Sequence, residues 1–445
     1  MAVDRRGYHQ SLVDELAKSL AGNTKPIRIK KRSVSNLFRY DGRQSAATRL
    51  IDLGDFNQPL FLDTKQGTLE VQGLTTFEAI VDFVLPHGFT PVVTPELKHI
   101  TIGGATVGIG IETNSFKYGF VHDSLLEAQV LLPDGRVVVA NESNEHADLF
   151  AALANSYGTL GYILKAKIKL LPAKPYVQIT TAAFTNTKDL VEAMGAAAKD
   201  PNTDYIESLL YSPSKLFLSV GTKCDTAPKL TSIYGQTVFY RRISQPGTLW
   251  LTTKDYLFRY DPEWFWAIPE TPAYRVFRAL SPRRFRNSAF YTRYLAWQAA
   301  RNPQPEPEHL EKLIQDWEVP WQHSQALLDF ALKNLRLDEK PLLAAPTKTL
   351  HKNTLYPMPP NQLYMNLGSY SFVERKPNDP PYHYTKIMDD FCFSHDGIKM
   401  LYSSSFLDEN TFNTIYGGSQ YKKIKAKYDP HNLAPTLYQK AVQAK

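Results

Sequence analysis

The sequence predicts an α+β protein of two domains, and three observations carry that expectation. The 445 residues are 43% hydrophobic and 12% aromatic, enough apolar side chain to bury more than one core. Short apolar segments alternate with polar residues and are separated by turn signals, the pattern of antiparallel strands, with only short helical stretches between them. Pro172 and Pro175 then break the chain between a glycine-rich first part, 1–175, and an aromatic-rich second part that begins at 176.

In order, residues 8–20 read as a polar helix, followed by a basic segment over 27–39. There Ser33, Ser35 and the Asn36 backbone stand ready to donate to an anion, and a solvated basic loop explains the same residues equally well. Residues 60–71 predict a β-hairpin around Gly67. Thr75 and Glu78 form a capping box opening a helix that turns Phe77, Ile80, Val81, Val84 and Leu85 inward, and residues 91–94 resume as a strand. Residues 125–132 and 136–140 pair around the turn Pro133-Asp134-Gly135, and a short helix spans 146–154. In residues 162–171, Lys165, Lys167 and Lys169 alternate with Leu164, Ala166, Ile168 and Leu170, a strand buried on one face. The second part opens with a strand, a helix over 187–198 and strands through 220. After a proline-rich loop at 303–307 come a helix over 308–317, another reaching 337, and strands near 342 and over 363–370.

The first part is organised around its glycines. Gly103, Gly104, Gly108, Gly110 and Gly119 fall within seventeen residues together with several hydroxyl side chains. Glycine lets backbone approach a large ligand, so the run reads as main-chain N–H groups around phosphate, with a dinucleotide favoured; tight turns under a sheet are the plainer alternative. Thr113 stands where a Rossmann fingerprint needs its third glycine, and no Gly-Lys-Ser/Thr of a Walker loop occurs.

Lys and Arg exceed Asp and Glu by seven, with no like-charge block of the kind that binds nucleic acid. Two cysteines, Cys224 and Cys392, make no disulfide framework and fit a reducing cytosol. The eleven histidines are dispersed, so no metal site is expected. No apolar run approaches the roughly 18 residues needed to span a bilayer, and the expectation is a cytoplasmic protein, soluble or peripherally membrane-associated. Residues 250–297 hold four of the six tryptophans and seven arginines. That mixture suits a lipid surface or the mouth of an apolar tunnel, and equally an aromatic core with solvated arginines.

The stretches GGATVGIGIETNSFKYG (103–119), LLPDGRVV (131–138) and ADLFAALANSYGTLGYILKAKIKLLP (147–172) resemble the FAD-binding PCMH-type domain of the vanillyl-alcohol-oxidase superfamily. Within it they are most similar to the delta-24 sterol reductase (Diminuto/Dwarf) branch. SNLFR (35–39) and NSYGTLGY (155–162) also resemble bacterial enzymes that reduce methylene-branched fatty acyl chains to methyl-branched ones. More weakly, Tyr416-Gly417-Gly418, Tyr421 and the run from Lys427 to Asn432 resemble the closing motif of the superfamily.

The resemblance implies the two-domain vanillyl-alcohol-oxidase-type fold, with an antiparallel-sheet substrate domain over 176–411 and a segment, 412–445, returning to the FAD domain. FAD would lie between the domains, its pyrophosphate on the loop from Ser33 to Leu37 and on Gly103 to Gly110. Glu96, Thr101, Ser115, Tyr118 and Gly119 would line the flavin side, Thr159, Gly161 and Ile163 the ribityl or adenosine portion, and Asn432 the closing motif. Many superfamily members tether the flavin through a histidine in the first loop, which residues 30–43 lack, so non-covalent FAD is expected; His87, His99 and His122 read more simply as surface or hydrogen-bonded histidines.

Three function classes stand. The first is an FAD enzyme reducing an isolated carbon–carbon double bond in a lipid, with NADPH as donor. The second is an oxidase or dehydrogenase of an alcohol or sugar, and the third a non-catalytic flavin or lipid carrier. For the first, a tyrosine protonated at neutral pH would give the proton to carbon, with Tyr364 and Tyr402 foremost and Tyr370 and Tyr416 beside them.

Overall fold

The computed structural model describes residues 4–30, 49–235, 237–266, 271–302, 309–335 and 340–443. The anion-loop candidates Ser33, Ser35, Asn36 and Leu37 and the proline-rich loop at 303–307 lie outside the described residues. The first part holds β1 (Ile27–Lys30) and β2 (Arg49–Asp52), a parallel pair, then β3 (Pro59–Asp63), β4 (Thr68–Gln72), β5 (Phe89–Pro91), β6 (Leu125–Leu131), β7 (Val137–Ala140) and β8 (Tyr162–Pro172). An antiparallel sheet orders them β3-β4-β8-β6-β7, with β5 on the far end of β8. The helix Phe77–Val84 covers it with Phe77, Ile80, Val81 and Val84 fully buried.

The second part contributes β9 (Tyr176–Phe184), β10 (Tyr205–Ser212), β11 (Lys215–Cys224), β12 (Gly247–Thr252), β13 (Leu310–Pro320), β14 (Leu342–Thr347), β15 (Tyr364–Glu374) and β16 (Ile398–Lys399). They form one antiparallel sheet, β12-β9-β11-β10-β14-β15-β13-β16. Helices Thr187–Lys199, Ser324–Asn334 and His383–Ser394 pack on one face over Leu210, Leu313, Trp317 and Leu367. The residues facing the other way, among them Ile314, Tyr364 and Tyr370, join a core that continues into the first sheet through Val71, Ile102, Phe120 and Val130. The helix-free face of the second sheet is therefore turned to the first part of the chain. This is the α+β, vanillyl-alcohol-oxidase-type architecture.

Three local readings are corrected. Residues 310–320 are the strand β13, not a helix. Its buried polar side chains mimic a polar helix face in the sequence, whereas in the strand they bond to neighbouring elements: Glu311 accepts from the Tyr384 and Thr385 N–H groups at 3.1 and 2.7 Å, capping the helix His383–Ser394. Thr76, not Thr75, caps Phe77–Val84, accepting from Ala79 N. The glycine stretch is also more regular than its composition predicts, containing the short helices Ile102–Val107 and Ser115–Tyr118.

Candidate active site

β13 and β15 pair antiparallel with Asp316 directly opposite Gly368. Same-face neighbours in such a ladder lie opposite and two residues to either side, so the Asp316 carboxylate is flanked by Asn366 and Tyr370. Asn366 Nδ2 donates to Asp316 Oδ1 at 2.9 Å, and Tyr370 Oη donates to Oδ1 and Oδ2 at 3.1 Å. The glycine makes the room: a Cβ at 368 would stand 2.7 Å from Asp316 Oδ1 and 2.9 Å from Tyr370 Oη. Tyr402, on the chain after β16, donates its hydroxyl to Asp316 Oδ2. Burial raises the Asp316 pKa against these three hydrogen bonds, and burial followed by the Asp316 charge holds both phenols well above their usual value. Phe265 stacks on Tyr370 at 4.5 Å between ring centroids, and Trp266 meets it edge-on at 5.9 Å.

Two of the four tyrosines singled out from the sequence thus converge on one carboxylate. The others are placed differently. Tyr416 donates to the Lys399 carbonyl at 2.8 Å, and Tyr364 sits at the end of β15 opposite Pro320. One pleat along from Asp316, Glu318 accepts from Tyr356 Oη at 2.7 Å and Thr347 Oγ1 at 3.1 Å, and burial pushes its pKa up to about 8. Asp316, Glu318 and Gly368 escaped the sequence reading because the helix assigned to 308–317 took in Asp316 and stopped short of Glu318; two acids flanking Trp317, opposite an Asn-x-Gly-x-Tyr, were the available signal.

A second buried cluster joins the two parts of the chain. The Arg259 guanidinium, fully buried, donates from Nη2 to Glu112 Oε1 at 2.9 Å and from Nε to Glu207 Oε1 at 3.1 Å, with Glu96 Oε1 3.5 Å from Nη2. Glu96 is held well above the usual carboxylate range by burial, then by the Glu112 charge.

Of the residues expected to hold a dinucleotide, Thr101 caps the helix Ile102–Val107 by accepting from Gly104 N at 3.3 Å. The N–H groups of Ile102 and Gly103 donate to Thr75 O at 3.0 Å and Gly73 O at 2.8 Å, so these three donors are engaged within the protein. Gly103 and Gly110 lie where a Cβ would strike Gly73 O at 2.8 Å and Val121 Cγ2 at 2.6 Å, and Gly119, at φ +75°, would strike Asp123. Gly108 O accepts from Tyr157 Oη at 3.4 Å. Ser115 Oγ accepts from Glu112 N at 3.1 Å. Thr159 is tied to the C-terminal segment, its hydroxyl accepting from Tyr421 Oη at 3.0 Å and its carbonyl from Lys425 Nζ at 2.9 Å. Gly161, at φ +144°, and buried Ile163 begin β8 against β6 and Gly73. Tyr118 lies beside Lys117 and Lys223, and Asn432 occupies an exposed turn at φ 51°; neither hydrogen-bonds to the others.

The arrangement fits FAD on two observations. Gly104 is exposed, so a side chain there would fill a surface that backbone now offers. Buried Thr75 Oγ1, Thr94 Oγ1, Glu112 Oε2 and Asn114 Oδ1, next to that helix and to Glu96 in the chain, have no partner among the described residues, as expected of a lining that a polar ring system completes.

An antiparallel sheet carrying buried tyrosines and a carboxylate, turned toward a glycine-rich α+β part, fits a flavin-dependent oxidoreductase. Comparison with known proteins agrees. Residues 28–141 match the family model described as an FAD binding domain. Human delta(24)-sterol reductase is 25% identical, over 94% of this chain and 85% of its own length. The Pisum sativum delta(24)-sterol reductase is 33% identical over 38% of this chain and 32% of its own. Cytokinin dehydrogenase 2 of Oryza sativa matches 28% of this chain at 31% identity. The chain is an FAD-dependent oxidoreductase with a PCMH-type FAD-binding domain, similar to the delta-24 sterol reductases over nearly its whole length.

Proposed function

We propose that this protein reduces an isolated carbon–carbon double bond in a lipid, a methylene-branched fatty acyl chain or a sterol side chain, with NADPH as electron donor. The observation that carries the reading is the Asp316–Tyr370–Tyr402 cluster beside Phe265 and Trp266, a proton store in an aromatic setting. A sugar or alcohol oxidase needs polar groups to hold hydroxyls, whereas here the Asn366 amide is engaged on Asp316 and the rings of Phe265 and Trp266 pack on Tyr370. Relatives similar over most of the chain are named for reducing a sterol.

FAD, held beside Gly104 and the buried polar atoms of Thr75, Thr94, Glu112 and Asn114, would supply the two-electron chemistry, hydride for one carbon of the alkene. The protein's own residues provide the proton for the other carbon. Tyr402 holds it on Oη. Asp316 accepts the hydrogen bond of the Tyr402 hydroxyl and fixes its position, Tyr370 and Asn366 keep the carboxylate oriented, and Tyr402 takes its proton back from solvent once the product has left. Phe265 and Trp266 exclude water, so the proton comes from a positioned acid rather than from solvent.

The purified protein is expected to be yellow and to release FAD on acid precipitation. NADPH should bleach it anaerobically, and a methylene-branched acyl lipid or a sterol with a side-chain double bond should restore the absorbance. Tyr402→Phe and Asp316→Asn should still be bleached but slow the lipid step by about 10²–10⁴-fold, the range typical of positioned acid catalysis. Lipid reoxidation at the original rate in both variants would remove this mechanism; a colourless protein that takes up no FAD would remove the function.

A further inference from the structure

We propose that the helix pair Pro272–Leu280 and Ser288–Arg301 docks the enzyme onto an anionic lipid bilayer. The charge is concentrated there. Residues 271–302 contain seven arginines and neither aspartate nor glutamate, so this segment alone equals the +7 excess of the whole chain; the other 44 basic residues balance the 44 acidic ones. The exposed apolar side chains are concentrated there too. Among the described residues, five of the eleven exposed large hydrophobics fall in this segment, with Leu280 80% and Val276 57% exposed on one helix and Tyr294, Leu295 and Trp297 about half exposed on the other.

The two helices are built as a unit. Tyr274 and Phe277 point inward, meeting Tyr291 (Oη to Oη 3.2 Å) and stacking on Phe290, which leaves Val276 and Leu280, one turn apart, on the outer face. On the second helix, Phe290, Tyr294 and Trp297 stack in succession, and Arg301 lies over the Trp297 ring at 4.3 Å. Amphipathic aromatic rings and arginines with apolar stems are the side chains that settle at the headgroup level of a bilayer. Arg278 is buried and Arg286 half-buried, so a protein partner would need acidic groups to match the five exposed arginines, Arg275, Arg283, Arg284, Arg293 and Arg301, whereas a bilayer with anionic headgroups matches the charge and the apolar face together.

The root of the pair leads to the site. Ser288 Oγ donates to Asp261 Oδ1 at 2.6 Å and Tyr291 Oη to Pro262 O at 3.0 Å, fixing the second helix to the segment whose Phe265 and Trp266 pack on Tyr370. The surface is thus placed to take a lipid from a bilayer toward Tyr402; this purpose rests on the function proposed above, while the docking does not.

The test is co-sedimentation of the full-length protein, without NADPH or substrate, with vesicles of phosphatidylcholine alone or with one-third phosphatidylglycerol. Binding is expected to the anionic vesicles and to weaken with salt. The double variant Arg283→Glu/Arg284→Glu and the double variant Leu280→Ser/Trp297→Ser should each lower it about tenfold or more. Bound FAD and Tm should stay unchanged, since these side chains are exposed. Equal binding to both vesicle types, binding indifferent to both variants, or a dimer that the same variants dissolve would overturn the proposal, the last by showing that a second copy covers the face. Vesicle binding without lipid-dependent flavin reoxidation would leave the docking standing and count against the function alone.

Discussion

Glu318 shows how one residue links burial to pH. Its carboxyl is fully buried, accepts two hydrogen bonds, and titrates near pH 8 rather than 4.5. A raised carboxyl pKa means that the native state keeps a proton which the unfolded state has released, so stability is highest below the ordinary value and declines as pH rises toward 8. The slope is up to about 1.4 kcal/mol per pH unit, roughly 4–5 kcal/mol across the window as an upper bound. Glu318→Gln keeps one acceptor oxygen, for Tyr356, and turns its amide to the Thr347 hydroxyl, which can accept in place of donating, with no charge to bury. Its advantage in Tm over the parent protein should therefore be small at pH 5 and grow to pH 8; parallel Tm profiles for the two proteins would show that Glu318 titrates normally. None of this was visible in the sequence, where Glu318 is one of 44 acidic residues and only its register on β13 makes it internal.

At the scale of elements, β13 and β15 position the chemistry, and they were unequally legible. β15 announced itself by a run from Tyr364 to Val373 with no charged residue and no proline. β13 did not, because its buried positions include Glu311, Gln315, Asp316 and Glu318 in place of the apolar residues that mark a strand, and its acids read as a helix surface. Similarly, the sequence located the glycine stretch but not why each glycine is there. At Gly103, Gly110 and Gly119 the reason is packing, and Gly73, unremarked in the sequence, has the least room, with Ile163 O 1.8 Å from a built Cβ. Register makes a sharp prediction at Gly368. Gly368→Ala places a methyl against Asp316 and Tyr370 in ordinary strand backbone, displacing hydroxyl and carboxylate without touching FAD. Lipid-dependent reoxidation should fall by about tenfold or more, while flavin content and NADPH bleaching hold. Unaltered reoxidation would mean that the Asp316–Tyr370 geometry does not matter to turnover. Gly104→Val is the complementary case: exposed and next to Thr101, it should lose FAD before it loses fold.

At the scale of the whole molecule, a buried guanidinium adds an electrostatic tie to the apolar core that the two sheets share. Arg259 contacts Glu96 and Glu112 from the stretch around the glycines and Glu207 from β10, and Tyr260 Oη donates to Glu207 Oε2 at 2.7 Å. One positive charge faces three carboxyls. Full ionisation would leave an excess of two negative charges in a dry interior, which is why Glu96 retains its proton well above the usual range. Removing the cation leaves carboxylates buried without a partner, the situation that costs about 3–5 kcal/mol when one member of a buried pair is lost. Arg259→Met, similar in length and apolar, should therefore lower Tm by many degrees and weaken FAD retention, because Glu96 and Glu112 adjoin the polar atoms that await a ligand. The loss should be worse at high pH than at low; the sign follows from the Glu96 carboxyl, which burial holds above the usual range in the native state. Adding Glu207→Gln to Arg259→Met should recover part of the stability, by a coupling of about 1–3 kcal/mol. Additive effects in that double-mutant cycle, with a pH-independent deficit for Arg259→Met, would show that the sheets are joined by apolar packing alone and that the buried charges are incidental to the junction.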